Sequence, residues 1–389
     1  MPIRLSVLTT CHSRTPFLAE MLDSFLQSGY HFRDTEILIR DNASPPGGDG
    51  DTAREYARRY PDVVRVIRNE VNCGIHRASQ QGYEAARGTY VMTFGYDDIF
   101  VPFDIDAEMD FLDAHPEFCA TCGIKRLFNA ADGDMLQCHG ADSSLFAMSL
   151  DPRETDCGMV IRAADLRAAG GCFPACVPEP PETMPDVITH IGLCMTKPFC
   201  FRSQLRGFYR RYPSQHTATH NREYQLGYQR IRAALAEHYA PLHQALLERR
   251  PMQIRPEERR PAVVLLGALL MRDGATAEEQ MQYCAAAEAL MPGDYGVREY
   301  RIKILMSQRN FTAALAEALA MYAEHRDQPY ITQLALGMAE EAARQMGLGC
   351  VSAYRRCREV ELAKHFTLTP PQRELLDRTV ANFRAMTKR

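Results

Sequence analysis

The sequence predicts a doubly wound α/β domain followed by an all-helical domain. Short apolar segments alternate with amphipathic ones over the first hundred residues, which is typical of a doubly wound sheet. From about residue 225, Ala, Leu, Met, Glu and Arg recur at helical spacing. A chain of 389 residues also exceeds one ordinary core. We therefore predict an α/β domain at 1–225, a linker helix with a Pro/Arg hinge at 226–261, and a helical domain at 262–389.

The first strand is predicted at residues 3–9, a short apolar run bounded by polar residues. Thr15-Pro16 then opens a helix. Further strands follow at 36–40, 63–67 and 90–94, and further helices at 51–59 and 77–86. Doubly wound sheets bind ligands at the carboxyl ends of their strands. The strand-end residues here are polar, namely Thr10, His12, Asp41, Asn42, Ser44, Asp97 and Asp98.

The second half contains eight segments with helical periodicity, at 224–248, 262–271, 277–291, 295–306, 311–325, 331–346, 350–365 and 371–386. The spacing from Pro292 to Pro329 indicates one helical hairpin of the tetratricopeptide type, and a plain helical bundle accounts for the same pattern. Because paired helices form concave binding surfaces, we expect this domain to dock a protein partner or an acceptor.

Composition excludes several classes of protein. The net charge of −4 argues against a general nucleic-acid binder, which needs many Lys and Arg contacts to phosphates. We find no apolar run of bilayer length and no signal peptide. The 13 scattered cysteines fit reduced thiols. We therefore expect a cytoplasmic protein, in which the arginine pairs 249–250 and 259–260 form a solvated hinge or contact anionic lipids at the inner membrane face.

Asp97 and Asp98 follow a buried strand, where two adjacent carboxylates are costly unless a cation needs them. Mg²⁺ or Mn²⁺ bridging a diphosphate is the natural partner. A solvated loop or a helix N-cap is the simpler alternative. Asp41 with Asn42, and Gly74 with Arg77, could likewise contact a nucleotide base or phosphate, or form ordinary turns.

Four segments in order resemble the family 2 glycosyltransferases, which have the GT-A fold: LSVLTTCH at 5–12, ILIRDNAS at 37–44, NEVNCGIHRA at 69–78 and QGYEAARGTYVMTFGYDDIFVP at 81–102. The resemblance covers about residues 1–225 and implies a Rossmann-like mixed sheet. It also implies a nucleotide-sugar donor and a divalent cation, Mn²⁺ or Mg²⁺.

The resemblance implies roles for individual residues. Thr10 and His12 would border the base, Asp41 and Asn42 would contact it, and Arg77 would lie near the nucleotide. Asp97 matches the last acid of the metal-binding Asp-x-Asp motif, followed by Asp98. Asp186 matches the general base. The segment with Arg210 and His216 resembles a late family motif near the diphosphate, and His216 is a candidate metal ligand.

Three positions depart from the family pattern. Gly95 replaces the first acid of Asp-x-Asp, Cys11 replaces an aromatic that stacks on the base, and Pro185 replaces the acid before the base. Because of Pro185, Glu179 and Glu182 remain alternative bases.

The sequence thus predicts an inverting glycosyltransferase that uses a nucleoside diphosphate sugar, UDP-linked, and a hydroxyl acceptor on a glycan, lipid-linked sugar or protein. A sugar nucleotidyltransferase is an alternative, although it usually has a Gly-rich phosphate loop, and none follows residues 3–9. The other alternative is a catalytically degenerate domain that serves as a scaffold. It is favoured by Gly95 and Pro185, which depart from the family pattern.

Overall fold

The computed structural model describes residues 2–13, 15–148, 150, 158–181, 184–215, 219, 221–249 and 253–387. Over these residues the chain forms two compact units. The first comprises the described residues of Met1–Gly140, Glu154–Gly227 and Leu368–Arg389, and the second those of Ala141–Arg153 and Tyr228–Thr367. Packing therefore departs from sequence order at a short internal segment and at the last helix.

The first unit is an α/β domain. Its strands are β1 (Leu5–Cys11), β2 (Thr35–Asp41), β3 (Val64–Arg68), β4 (Tyr90–Thr93), β5 (Ile99–Phe100), β6 (Ala120–Asn129), β7 (Met135–His139), β8 (Met159–Arg162) and β9 (Phe199–Arg211). Its main helices are α1 (Phe17–Leu26), α2 (Asp49–Arg59), α3 (Ile75–Ala85), α4 (Ile105–Ala114), α5 (Ala163–Ala168) and α6 (Pro185–Cys194).

Within the described part of this unit, nine strands form one mixed sheet. The strand order is β3-β2-β1-β4-β8-β6-β9-β5, and β7 pairs with β6. The first four strands in this order are mutually parallel, whereas β8 is antiparallel to β4. The predicted doubly wound mixed sheet, followed by an all-helical region, is confirmed.

The central strands of the sheet are buried. Every residue of β2 and of β4 is buried, as expected for parallel strands covered on both faces. On β1, Leu8 packs so close to α3 that a Cβ at Gly82 would lie 2.6 Å from its Cδ1 atom. This packing fixes the strand ends that carry the candidate site.

Strand register places those ends at one edge of the sheet. Cys11, the last residue of β1, lies opposite Asp41, the last residue of β2. Leu8 lies opposite Thr93 at the end of β4, so the chain after β4 leaves the sheet beside Thr10. Polar residues that are far apart in sequence therefore share one edge.

Strand β9 carries two arginines whose side chains are fully buried, Arg206 and Arg210. Arg206 forms an ion pair of 2.6 Å with Glu108 of α4 and donates to the backbone oxygens of Thr121 and Gly158 at 3.1 and 3.0 Å. A buried charge needs such partners because desolvation is costly. The pairing holds β9 in the sheet and brings its carboxyl end towards the loop after β4.

The last helix, α15 (Pro370–Thr387), belongs to the first unit. Leu376 and Val380 are buried in an apolar cluster with Ile99 and Phe128, and Arg384 Nε donates to the Ala131 carbonyl at 2.7 Å. The sequence placed these residues in the helical domain at 262–389. Helical periodicity shows which face of a helix is apolar, but it does not show which core that face joins.

The second unit contains the C-terminal helices. These are α7 (Asn221–His238), which begins in the first unit, then α8 (Ala240–Leu247), α9 (Arg259–Leu270), α10 (Ala277–Leu290), α11 (Tyr295–Ser307), α12 (Phe311–Glu324), α13 (Pro329–Gln345) and α14 (Val351–Phe366). From α9 to α14, each helix packs against the next. Among the helices that the structure describes, none is both long and apolar enough to span a bilayer.

A segment from the predicted α/β region joins the second unit. Ser144 Oγ and the Phe146 N–H donate to the carboxylate of Asp294, at 2.6 and 3.1 Å. Gly267 allows the close approach of this segment, because a Cβ atom at position 267 would lie only 2.1 Å from the Phe146 carbonyl oxygen. The predicted boundary at residue 225 therefore misses this insertion, because local sequence carries no signal for which core a short apolar segment enters.

Candidate active site

A cavity of about 240 Å³ opens at the carboxyl ends of β1 and β4. Four residues predicted from the sequence line it: Thr10, Asp97, Asp98 and Asp186. Helices α3 and α6 contribute Ile75, Ser79, Tyr83, Thr189 and His190, and the end of β9 and the chain after it contribute Tyr209, Tyr212, Gln215 and Tyr224. The structure thus gathers carboxylates from segments about ninety residues apart into one cleft.

Asp97 and Asp98 lie in the loop between β4 and β5 and are held by residues at the end of β9 and directly after it. The Tyr212 hydroxyl donates to Asp97 Oδ2 at 2.9 Å, and Arg210 Nε donates to the Asp97 carbonyl at 2.9 Å. The Arg210 N–H donates to Asp98 Oδ1 at 3.3 Å. Asp98 is 2% exposed, whereas Asp97 is half-buried. Asp98 is therefore enclosed by protein, and Asp97 is the more accessible carboxylate.

Gly95 makes room for both carboxylates. A Cβ at this position would lie 2.8 Å from Asp98 Oδ2 and 3.3 Å from Asp97 Oδ1. The two oxygens therefore converge on the space that a side chain at position 95 would fill. Mg²⁺ and Mn²⁺ prefer oxygen ligands, and Mg²⁺ is commonly held by one or two carboxylates together with substrate phosphates. The residues present fit such an ion.

The described residues supply few further ligands. Among the described residues, no group of three or more His, Cys, Asp and Glu side chains could hold a metal. His216, the third predicted ligand, lies outside the described residues. An ion at Asp97 and Asp98 would therefore depend on phosphate or water oxygens for the rest of its coordination.

Arg210 lies beneath the acidic pair. Its side chain is fully buried, forms an ion pair of 2.5 Å with Glu20, and has its Cζ atom 4.3 Å from the centre of the Phe17 ring. The sequence suggested a contact between Arg210 and a diphosphate. In the structure, two of its three guanidinium nitrogens bond to Glu20 and to the Asp97 carbonyl. Arg210 thus supports the loop that carries Asp97.

Two tyrosines that the sequence analysis did not single out complete this network. Burial, and then the nearby Asp97 carboxylate, raise the pKa of Tyr212, and the same two causes raise the pKa of Tyr96. Both hydroxyls therefore keep their protons at neutral pH, and Tyr212 remains a donor to Asp97. Tyr96 directly precedes Asp97 and lines the same cavity.

The predicted base-contacting residues lie along the ends of β1 and β2. Asp41 is fully buried, forms an ion pair with Arg68, and accepts from the Ser44 N–H at 2.8 Å. Asn42 accepts from the Cys73 N–H at 3.1 Å and donates to Asn72 Oδ1 at 2.7 Å. Both side chains thus shape the loops at this edge, and a contact with a base stays a prediction.

The neighbouring candidates differ in exposure. His12 and Arg77 are exposed, and Thr10 is half-buried at the cleft. Cys11 is 1% exposed, and burial, then Asp49 and Asp41, raise the pKa of its thiol. Position 11 therefore contributes a buried neutral thiol rather than a ring on which a base could stack.

Asp49 is an important residue that the sequence analysis missed. It begins α2, is fully buried, and accepts from the Ser13 N–H at 2.8 Å, Ser13 Oγ at 2.7 Å and the Thr15 N–H at 3.2 Å. Its carboxylate therefore holds the loop between β1 and α1. The Gly48-Asp49-Gly50 sequence was a usable signal, because acids are favoured at helix N-termini.

We predict that Asp49→Ala weakens nucleotide binding by about tenfold, equivalent to about 1.4 kcal/mol. The loop that Asp49 holds adjoins Thr10 and the predicted base contacts, and three donors would lose their acceptor. Calorimetric titration of UDP in the presence of Mn²⁺ measures the change. Asp51→Ala, an exposed acid in the same helical turn, is the control; equal UDP affinity in the Asp49 variant and the wild type would contradict the role of Asp49.

The cleft distinguishes among the predicted bases. Asp186 lies in the first turn of α6, is half-buried and lines the cavity. Glu179 is exposed and is not among the lining residues, and Glu182 lies outside the described residues. His190, one helical turn after Asp186, is 3% exposed and lines the same cavity. Of the three candidate bases, Asp186 is the one that the described residues show lining the cavity, and its role as a base stays a prediction.

The fold and this edge of the sheet define the class of α/β protein that binds ligands at the ends of parallel strands. Residues 6–148 match the family model described as Glycosyl transferase family 2. Over these residues the chain is similar to the family 2 glycosyltransferases, as the resemblance of its motifs predicted.

Relatives match over the same region. Rv1520 of Mycobacterium tuberculosis is 32% identical over 117 residues, which are 29% of this chain and 32% of that protein. The glycosyltransferase EpsE of Bacillus subtilis, described as putative, is 26% identical over 115 residues, which are 30% of this chain and 40% of that protein. The match to the first of these relatives thus spans about a third of that protein's length.

A solved structure is also similar. It is the crystal structure of S. aureus TarS 1-349 in complex with UDP-GlcNAc. The alignment covers 89% of this chain and 93% of the TarS chain, with 14% sequence identity and a TM-score of 0.47.

Proposed function

We propose that this protein is an inverting glycosyltransferase that moves a sugar from a nucleoside diphosphate sugar, UDP-linked, to a hydroxyl acceptor with the help of Mn²⁺ or Mg²⁺. The observation that carries the proposal is that Asp97 and Asp186 line one cavity at the strand ends of a family 2 domain. One carboxylate suits a cation and diphosphate, and the other suits an acceptor hydroxyl.

The two carboxylates have separate tasks. Asp97, with Asp98 behind it, would hold the divalent cation, which supplies Lewis-acid stabilisation of the leaving diphosphate. Asp186 would take the proton of the acceptor hydroxyl while that oxygen bonds to the anomeric carbon. The bond from the anomeric carbon to the diphosphate oxygen breaks at the same time, so a single displacement inverts the configuration.

Preorganisation of the nucleotide side supports this assignment. Asp49 holds the loop after β1, and Asn42 holds the loop before α3. Thr10, His12, Asp41 and Arg77 lie on or beside these loops. We propose that they border the nucleotide, so that the enzyme orders its binding loops before the donor arrives and spends less binding energy on fixing them.

The second unit is proposed to dock the acceptor or a protein partner. Its helices α9 to α14 pack in sequence order, and such arrays present extended surfaces. A glycan, a lipid-linked sugar or a protein would each offer the hydroxyl that the reaction needs.

A thermal-shift panel tests the proposal. Nucleotide sugars, including UDP-GlcNAc and GDP-Man, are added with Mn²⁺ or with EDTA. A donor at a hundred times its dissociation constant should stabilise the protein by about 2.7 kcal/mol, with Mn²⁺ present. Stabilisation by a nucleoside triphosphate together with a sugar 1-phosphate would instead favour a nucleotidyltransferase. No metal-dependent shift with any nucleotide sugar would favour a scaffold.

A further inference from the structure

We propose that the C-terminal helix α15 positions the metal-binding carboxylate, and that Phe383 is the positioning residue through which it acts. The inference rests on the proposed function, because it concerns the cation held by Asp97. It assigns a contribution to metal binding to helix α15, which lies outside the family match at 6–148.

The contact begins at the ring of Phe383. It stacks on the ring of Phe17, with the centroids 6.2 Å apart and the planes 14° apart. Phe17 is the first residue of α1 and is 5% exposed. Phe383 thus covers the ring of Phe17.

Phe17 contacts both residues that hold Asp97. Its ring centroid is 5.0 Å from that of Tyr212 and 4.3 Å from the Arg210 Cζ atom. Tyr212 donates to a carboxylate oxygen of Asp97, and Arg210 donates to its backbone carbonyl. A shift of Phe17 would therefore move both supports of Asp97 at once.

The helix has further anchors besides Phe383, whose ring also packs against the apolar cluster beneath α15. Leu376 and Val380 are buried in the apolar cluster beneath α15, and Arg384 donates to the Ala131 carbonyl. Phe383 itself is only half-buried. Removing its ring should therefore leave the helix in place and free Phe17 to move.

The experiment titrates Mn²⁺ into the full-length protein in the presence of saturating UDP and follows the bound ion by electron paramagnetic resonance. Phe383→Ala should raise the apparent dissociation constant for Mn²⁺ by about tenfold, because small misplacements of a binding group have large effects. Phe383→Tyr keeps the stacking ring and should bind Mn²⁺ as the wild type does. If the alanine variant does not fold, Phe383→Leu replaces it, and its Mn²⁺ affinity is compared with that of the wild type in the same way.

Leu376→Ala is the matched control on the same helix. It should lower the midpoint of thermal unfolding and leave the Mn²⁺ affinity unchanged. Equal loss of affinity in this control would show a general loosening and overturn the positioning role. Unchanged affinity in Phe383→Ala would overturn the inference alone, and a wild type that binds no Mn²⁺ with UDP would overturn the proposed function as well.

Discussion

Asp97→Asn is expected to lower the rate of sugar transfer by about a thousandfold. A metal Lewis acid contributes several kcal/mol of charge stabilisation in the transition state, and each tenfold in rate corresponds to about 1.4 kcal/mol. The substituted amide would keep an oxygen that accepts from Tyr212 but would lose the charge that attracts the cation. Release of UDP from a nucleotide sugar, measured with and without Mn²⁺, gives the rate.

The fold of the Asp97 variant should survive. Replacing one of two adjacent, partly enclosed carboxylates removes a like-charge repulsion, so the midpoint of thermal unfolding should stay constant or rise. Asp110→Asn, whose side chain is 69% exposed, serves as the matched control and should react like the wild type. A variant at position 97 that still shows Mn²⁺-dependent UDP release would refute the metal role of Asp97.

Asp186→Asn is expected to reduce kcat by about a hundred- to ten-thousandfold, which is the usual contribution of a general base. Donor affinity should change little, because Asp186 would act on the acceptor hydroxyl rather than on the nucleotide. Steady-state kinetics with an acceptor found by screening, together with calorimetric titration of UDP and Mn²⁺, separates the two effects.

Two controls accompany the Asp186 variant. Asp106→Asn also removes an acid from the first turn of a helix, and it should leave catalysis unchanged. Glu179→Gln tests the alternative base. Should the Glu179 variant lose activity while the Asp186 variant retains it, the assignment of the base would move to Glu179.

The sequence predicted the sheet because its cause is local. The apolar runs in β1, β2 and β4 and the amphipathic segments between them specify buried parallel strands and covering helices. The strand-end carboxylates were visible for the same reason. Asp97 and Asp98 follow a buried strand directly, so their position at the edge of the sheet needs no long-range information.

Partners across the chain were not visible. The ion pair of Asp41 with Arg68, the burial of Arg210 against Glu20 and the hydrogen bond from Tyr212 to Asp97 join residues 27, 190 and 115 positions apart. Nothing in the local pattern distinguishes these side chains from exposed ones. The role of Arg210 in particular depends on β9 entering the sheet beside β5.

The order of strands and helices along the chain and the place of the acidic pair at the end of a strand follow from the chain's own periodicity, because hydrophobic spacing determines local structure. Three-dimensional packing decided which core each segment joined. Helix α15 lies against the first unit and the segment around Phe146 lies in the second, since burial of an apolar face is favourable wherever a complementary surface exists. That choice placed the ring of Phe383 on the ring of Phe17, which contacts the two residues that hold Asp97.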